Sequence, residues 1–144
     1  MSSPLYSREI LRLAASLAGK KRLDSSNGSA DLRSPTCGSR VIVDILLDTE
    51  GAVSACGIDA RACALGQASA ALVIGHVKGK SPAELLDAST AMRAFLAGER
   101  DAGDIWPGIE VFEAARAYPA RHPSILLAFE AAAQAAHQAQ DAMS

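Results

Sequence analysis

Apolar positions near the amino terminus recur three or four residues apart, which is the spacing of one helix face. From Tyr6 to Leu17 this pattern predicts an amphipathic helix over residues 4–18. Residues 23–35 are mostly polar and predict a loop, in which Ser29–Arg33 is the one candidate for a short edge strand. The chain is therefore expected to begin with a helix and to enter a sheet through a loop.

A β-hairpin is predicted in the next part of the chain. Residues 40–48 are rich in branched apolar side chains, Thr49–Gly51 has turn chemistry, and residues 52–58 have the pattern of a returning strand. Cys56 lies on this second strand. Packing in the core is the favoured interpretation of Cys56, with metal ligation as the alternative.

The remainder of the chain has helical periodicity. A capping box at Ser81 and Glu84 marks the start of one helix, and Trp106 is expected to anchor the loop that follows it. The tail from Gln138 is expected to fray. Together the pattern predicts an α+β fold, a small antiparallel sheet covered by helices, in one domain over residues 1–144 with about residues 5–137 ordered. The predicted helical segments here are residues 62–77, 82–97, 109–115 and 125–136.

Composition restricts the function classes. The 144 residues include 14 basic and 16 acidic side chains, a net charge of −2, so nucleic acid and membrane surfaces are not expected partners. No apolar run is long enough to cross a bilayer. An odd number of cysteines and a start without a secretory pattern favour the reducing cytoplasm. The basic triplet Lys20–Arg22 is interpreted as a solvated helix end, or as a docking patch for an acidic partner.

Two cysteines carry the candidate chemistry. Cys63 opens a predicted helix, where the dipole favours a thiolate, so it is a candidate ligand or nucleophile. The alternative is a small apolar residue in a tight corner. Cys37 lies in a turn before Gly38, and His76 is interpreted as a capping or interface residue rather than a metal ligand. No Cys-x-x-Cys pair is present, so spacing alone does not predict a metal site.

The order of these motifs resembles a known family. The motifs follow one another as in the IscU/NifU/SufU iron–sulfur cluster assembly scaffolds. They are the segment Pro35–Gly38, a hairpin, Cys63 before an Ala/Ser-rich helix, Val77–Ser81 and Tyr118–Arg121. The Pro-Ala-Arg sequence and the insertion before Trp106 resemble the SufU branch in particular. The resemblance covers about residues 5–137 and implies the IscU/SufE-like sandwich fold.

The resemblance also implies a ligand set, of which only part is present. In that family three cysteines and an aspartate gather around one metal or cluster. Cys37 and Cys63 match the first two cysteines, whereas the aspartate and third-cysteine positions hold Ser39 and Ser124. A serine hydroxyl is a far weaker acid than a thiol and a poor substitute ligand. One chain is therefore expected to supply two strong donors at most.

Three functions remain open from the sequence. The first is a scaffold or carrier that binds iron, zinc or a cluster weakly through Cys37 and Cys63, with water, His122, a partner or a symmetric homodimer completing the shell. The second is a metal-free homologue that binds or regulates a cysteine desulfurase. The third is a persulfide acceptor, in which Arg121 or His122 steadies the charge. Hydrolytic catalysis is not expected, because no spacing matches a nucleophile with its base.

Overall fold

The computed structural model describes residues 4–35 and 38–143, and it confirms the α+β prediction. The chain runs from a helix through three strands into three further helices. Short 3₁₀ helices occur at Pro4–Tyr6, Ile109–Ala117 and Pro119–Arg121. The longer elements are α1 (Arg8–Ser16), β1 (Gly28–Arg33), β2 (Arg40–Leu47), β3 (Val53–Arg61), α2 (Ala64–His76), α3 (Pro82–Leu96) and α4 (His122–Ala142).

The three strands form an antiparallel sheet in the order β1-β2-β3. The predicted hairpin is β2 and β3, and its turn is held by the Asp48 carboxylate, which accepts hydrogen bonds from the amides of Glu50 (2.9 Å) and Ala52 (3.0 Å). Alternate residues of β2 face opposite sides of the sheet. Val41, Val43, Ile45 and Leu47 are buried on the inner side, and Arg40, Ile42, Asp44 and Leu46 point to the outer side.

The helices cover only the inner side of the sheet, where the core lies. Helix α4 packs on β1 and β2, α2 and α3 each pack on α4, and α1 packs on α2. The approach of α4 to β1 is so close that a methyl group on Gly28 would overlap the carbonyl oxygen of Ala135. Within the described residues, no helix is long and apolar enough to cross a membrane.

The outer side of the sheet is held to the loop after α1 by one buried carboxylate. Asp44 accepts hydrogen bonds from Arg22 (3.0 and 3.1 Å), from the Ser29 hydroxyl (2.7 Å) and from the Leu23 amide (3.1 Å). Burial opposes ionisation of Asp44, but these bonds outweigh it and lower the pKa of the carboxyl. Because Gly57 has no side chain, it leaves room for this loop to cross β3 closely.

The prediction of a helix over residues 4–18 is wrong about where the helix begins. Residues 4–6 form a 3₁₀ turn, and α1 begins at Arg8 because the Ser7 hydroxyl caps it by accepting a hydrogen bond from the Ile10 amide (3.3 Å). The segment predicted as a short helix at 109–115 is a 3₁₀ helix, and β3 continues three residues past the predicted end.

Other helix ends follow the sequence more closely. The predicted capping box is confirmed, since Ser81 and Glu84 bond reciprocally at the start of α3. Trp106 is buried, and its indole donates to the carbonyl of Leu72 (2.8 Å), as expected of a loop anchor. Fraying is predicted from Gln138, yet α4 extends to Ala142; the Gln138 side chain accepts a hydrogen bond from the Ser29 amide (3.3 Å).

Candidate functional site

The ends of all three strands meet at one end of the sheet. Arg33 closes β1, Arg40 opens β2 and Arg61 closes β3, and the register pairs Arg40 with both of the others. The loop over residues 34–39 and the connection from β3 to α2 therefore leave the sheet side by side. These two segments contain Cys37 and Cys63.

The loop that contains Cys37 is closed at its base by two backbone hydrogen bonds. The Ser34 amide donates to the Ser39 carbonyl (2.9 Å), and the Gly38 amide donates to the Ser34 carbonyl (3.1 Å). Gly38 has a φ of +72°, a conformation that glycine adopts without strain, and it is exposed with open space around it. Cys37 itself lies outside the described residues, so its role as a ligand stays a prediction.

Cys63 is the residue immediately before α2, at the N-cap position. Its backbone is extended (φ −65°, ψ 173°), and its carbonyl accepts the first helical bond, from Gln67 (2.9 Å). Its side chain makes no capping hydrogen bond, in contrast to Ser7 and Ser81 at the starts of α1 and α3. The thiol is half-buried against the edge of the core. The Cys63 thiol therefore packs against the core but does not cap the helix.

Helix α4 brings Ser124 next to the first turn of α2. A methyl group on Gly66 would lie 3.2 Å from the carbonyl oxygen of Ser124, and the Ser69 hydroxyl donates to the carbonyl of Ile125 (2.5 Å). On its other side the start of α4 faces the loop after β1, where Pro123 and Pro35 line one shallow cavity of about 260 Å³. The start of α4 thus lies between the two cysteine-bearing segments.

The two serines that occupy family ligand positions are both buried. Ser39 is 4% exposed and Ser124 is 3% exposed, so both hydroxyls are enclosed by protein rather than by water. Each has its own interaction within the fold. A buried hydroxyl remains neutral, because burial strongly disfavours the charged alkoxide.

The auxiliary residues predicted near this site differ in their surroundings. Arg121 is exposed on the turn before α4. His122 is half-buried, and its Nε2 atom lies 2.9 Å from the carbonyl oxygen of Ala115. Since a carbonyl only accepts, Nε2 carries the proton, and Nδ1 is the nitrogen left to bind anything else. His76, expected to be a cap or an interface residue, is exposed at the end of α2.

Cys56 is apart from this site. It lies opposite Ile45 on the inner side of the sheet, packed against the core. Burial, with a smaller contribution from the nearby Asp44 carboxylate, raises the pKa of its thiol to about 12. The thiol therefore stays protonated at neutral pH, which agrees with the core-packing interpretation.

A row of arginines beside the site was not predicted from the sequence. Arg33, Arg40 and Arg61 are direct cross-strand partners on the outer side of the sheet. Like charges placed opposite each other destabilise a sheet, and here two aspartates offset them. Arg40 pairs with Asp31 (2.6 Å) and Arg61 more loosely with Asp59 (3.8 Å). The Arg40 hydrogen bonds lower the pKa of Asp31. Only the strand register could have revealed this row.

The donor set of one chain does not fit a metal or cluster that needs four ligands. Among residues 4–35 and 38–143, no group of three or more His, Cys, Asp or Glu side chains could hold a metal ion. Even with Cys37 added, the site has two thiols, two buried hydroxyls and one engaged imidazole. Zinc sites of the structural type and iron–sulfur clusters take four donors.

Similarity to solved structures assigns the family. No protein-family model matches this chain, and no curated protein matches it. Among solved structures, the chain is similar to a nitrogen-fixing NifU-like protein (N-terminal) from Brucella abortus, with 32% sequence identity, a TM-score of 0.89 and 96% of each chain covered. The chain belongs to the NifU-like family. The family resemblance drawn from the residues is thereby confirmed.

A second solved structure shares the fold at lower identity. It is the SufU protein of Fervidobacterium islandicum AW-1, named as an iron–sulfur cluster assembly scaffold protein for the SUF system. Its sequence identity is 20%, its TM-score is 0.85, and the match covers 94% of this NifU-like chain and 99% of the other. This likeness agrees with the SufU-like order of motifs, and at this identity it establishes the common fold.

Proposed function

We propose that this chain is an iron–sulfur cluster assembly scaffold or carrier, in which Cys37 and Cys63 bind iron, zinc or a cluster weakly. The observation that carries the proposal is the similarity to a NifU-like protein over 96% of both chains. The cluster is cargo that the protein receives and hands on, so the proposed role is non-enzymatic. We place this role in the cytoplasm and assign it to a single domain over residues 1–144.

The surroundings of Cys63 support this role. Its thiol is half-buried at the end of the sheet and is not used to cap α2. The loop with Cys37 leaves the same end of the sheet, from a base that two backbone hydrogen bonds fix. A half-buried thiol that makes no capping hydrogen bond, in a segment beside the loop whose sequence contains a second cysteine, suits a cargo that must be both bound and released.

The proposal is tested by cluster loading and transfer. Reduced protein is incubated anaerobically with ferrous iron and a sulfide source, its visible spectrum is recorded, and an apo-ferredoxin is then added as acceptor. We expect thiolate-to-iron absorption that is lost on transfer, and that Cys63→Ala abolishes. Cys56→Ala is the matched control, because Cys56 is held in the core. Absorption that is unchanged in Cys63→Ala would contradict the proposal.

The buried hydroxyls favour one alternative. Ser39 and Ser124 replace ligands with neutral groups, as expected of a homologue that retains the fold but binds a cysteine desulfurase as a regulatory module. Under this alternative, the chain would change the turnover of a desulfurase while binding no metal.

A related variant of that alternative is persulfide acceptance. The outer sulfur of the desulfurase persulfide would pass to the thiol of Cys37 or Cys63, and the desulfurase cysteine would leave as a thiolate. Mass spectrometry after incubation with a desulfurase and cysteine separates the regulatory module from the persulfide acceptor, because only the acceptor gains the mass of one sulfur atom.

A further inference from the structure

Strand β1 is an edge of the sheet, and part of its backbone is open to a further strand. The Ser34 amide donates to the Ser39 carbonyl (2.9 Å), so the neighbouring Arg33 directs its N–H and C=O groups away from β2. The alternation of an antiparallel ladder gives Asp31 the same orientation. Among the described residues, none forms a backbone hydrogen bond with these outward groups of Asp31 and Arg33.

The opposite edge of the sheet is covered by loops. On β3, the Val53 amide donates to the carbonyl of Lys80 (2.9 Å), and the Ile58 amide donates to the carbonyl of Lys21 (3.2 Å). A strand that approached β3 would have to displace these bonds. A strand that approaches β1 beside Asp31 meets no such obstacle.

The open part of the β1 edge is short and has defined ends. On one side of it, the Ser29 amide already donates to the Gln138 side chain (3.3 Å). On the other side, the chain turns at Pro35, which has no N–H to donate. The segment available for pairing is therefore Asp31–Arg33.

The side chains of this segment match those of a second copy of the chain. Charged residues usually keep edge strands from pairing, but here the charge alternates in sign. If Leu32 lies on a twofold axis, Asp31 of each copy is directly opposite Arg33 of the other copy, on the outer side of the sheet. Each such pair also exchanges two backbone hydrogen bonds. A register that places either residue opposite its own equivalent sets like charges against each other, which is unfavourable.

The inner side of the same segment is apolar. Leu32 is half-buried and lines the shallow cavity beside β1 together with Pro123 and Leu127. With the twofold axis at Leu32, the two leucine side chains meet over this cavity. Burial of their apolar surface therefore favours the same register as the charges do.

We propose that two copies of this chain associate through the free edges of their β1 strands, with Asp31 of each copy paired to Arg33 of the other. The partner is a second copy because this alternation of charge is self-complementary. The pairing segment is short, so the association is weak and depends on protein concentration. It uses no cysteine and no metal, and so it does not depend on the proposed function.

The test measures the mass of the full-length, reduced protein in metal chelator by sedimentation over a range of concentrations. The mass should rise with concentration from 14.9 kDa, the value for one chain, towards twice that value. Arg33→Asp and Asp31→Arg each place like charges opposite one another, so each variant alone should stay monomeric. An equimolar mixture of the two variants restores opposite charges at both positions and should form a heterodimer.

Arg61→Asp is the matched control. It makes the same change of charge in the arginine row, but at the covered edge of the sheet, and it should associate as the wild type does. Circular dichroism checks that every variant folds. Should a charge variant fail to fold, Arg33→Pro removes an outward N–H at a position where an edge strand tolerates proline, and it should also stay monomeric.

Four results would overturn the inference. They are a wild-type protein that is monomeric at every concentration, a dimer that Arg33→Asp or Arg33→Pro retains, a mixture of the two charge variants that stays monomeric, and loss of the dimer in Arg61→Asp as well. None of these results would affect metal binding through Cys63, so the proposed function would stand.

Discussion

The contact between α2 and α4 can be tested with two glycines of the same helix. A methyl group on Gly66 would lie 2.7 Å from the Cβ of Ala62 and 3.2 Å from the carbonyl oxygen of Ser124. Carbon atoms in ordinary contact are about 3.5–4.0 Å apart, so Ala62 would have to move by about 1 Å. A methyl group on Gly75 would meet nothing within 4 Å.

The two substitutions should therefore have different effects on stability. Alanine in place of a helical glycine gains about 1 kcal/mol from lower backbone entropy, which Gly75→Ala should realise nearly in full. Overpacking costs about 1–3 kcal/mol, so Gly66→Ala should be neutral or destabilised by up to about 2 kcal/mol. The two variants should thus differ by about 1–3 kcal/mol in unfolding free energy.

Urea unfolding of the reduced protein measures this difference, and zinc titration measures its effect on the site. Gly66→Ala should bind zinc more weakly than the wild type, because the start of α2 next to Cys63 is forced away from α4. Gly75→Ala should bind zinc as the wild type does. If Gly66→Ala were as stable as Gly75→Ala, the close packing of Gly66 against Ala62 and Ser124 would be refuted.

Three further substitutions test the fold that supports the site, each by urea unfolding. Asp44→Asn should cost about 2 kcal/mol of unfolding free energy at pH 7, because charge-assisted bonds such as that to Arg22 are lost. Since the pKa of Asp44 is lowered in the fold, its contribution to stability is complete above the ordinary carboxyl pKa. That contribution disappears as the pH falls through the lowered value. An equal cost at pH 2 would contradict this. Trp106→Phe should cost about 1–3 kcal/mol, since the buried Leu72 carbonyl loses its donor; a neutral effect would mean that the bond contributes nothing. Ser81→Ala should cost about 1 kcal/mol through loss of the capping box, and no change would show that the cap is dispensable.

The parts of the fold that depend on local chemistry were predictable from the sequence. The branched run of β2, the turn at Asp48 and the capping box at Ser81 each act within a few residues, and the structure has all three. The start of α1 was missed because the spacing of apolar residues does not show which residue caps the helix. The Ser7 hydroxyl bonds the Ile10 amide, and a sequence pattern does not indicate which cap is used.

The features that depend on distant residues were not predictable. The arginine row needs the exact register of three strands, and a shift of one residue would place those side chains on the opposite face. The bond from His122 to the Ala115 carbonyl depends on how two 3₁₀ helices turn before α4. Serines at positions 39 and 124 were noted from the family pattern, whereas their burial required the packed structure.

The central claim, that Cys37 and Cys63 bind metal or cluster cargo, is tested most directly on the protein as purified. The measurement is elemental analysis with an ultraviolet–visible spectrum, under anaerobic reducing conditions and without a metal-affinity tag. We predict bound iron or zinc that is lost in Cys63→Ala and retained in Cys56→Ala. Folded, colourless protein without metal would contradict the claim and favour the desulfurase-binding module.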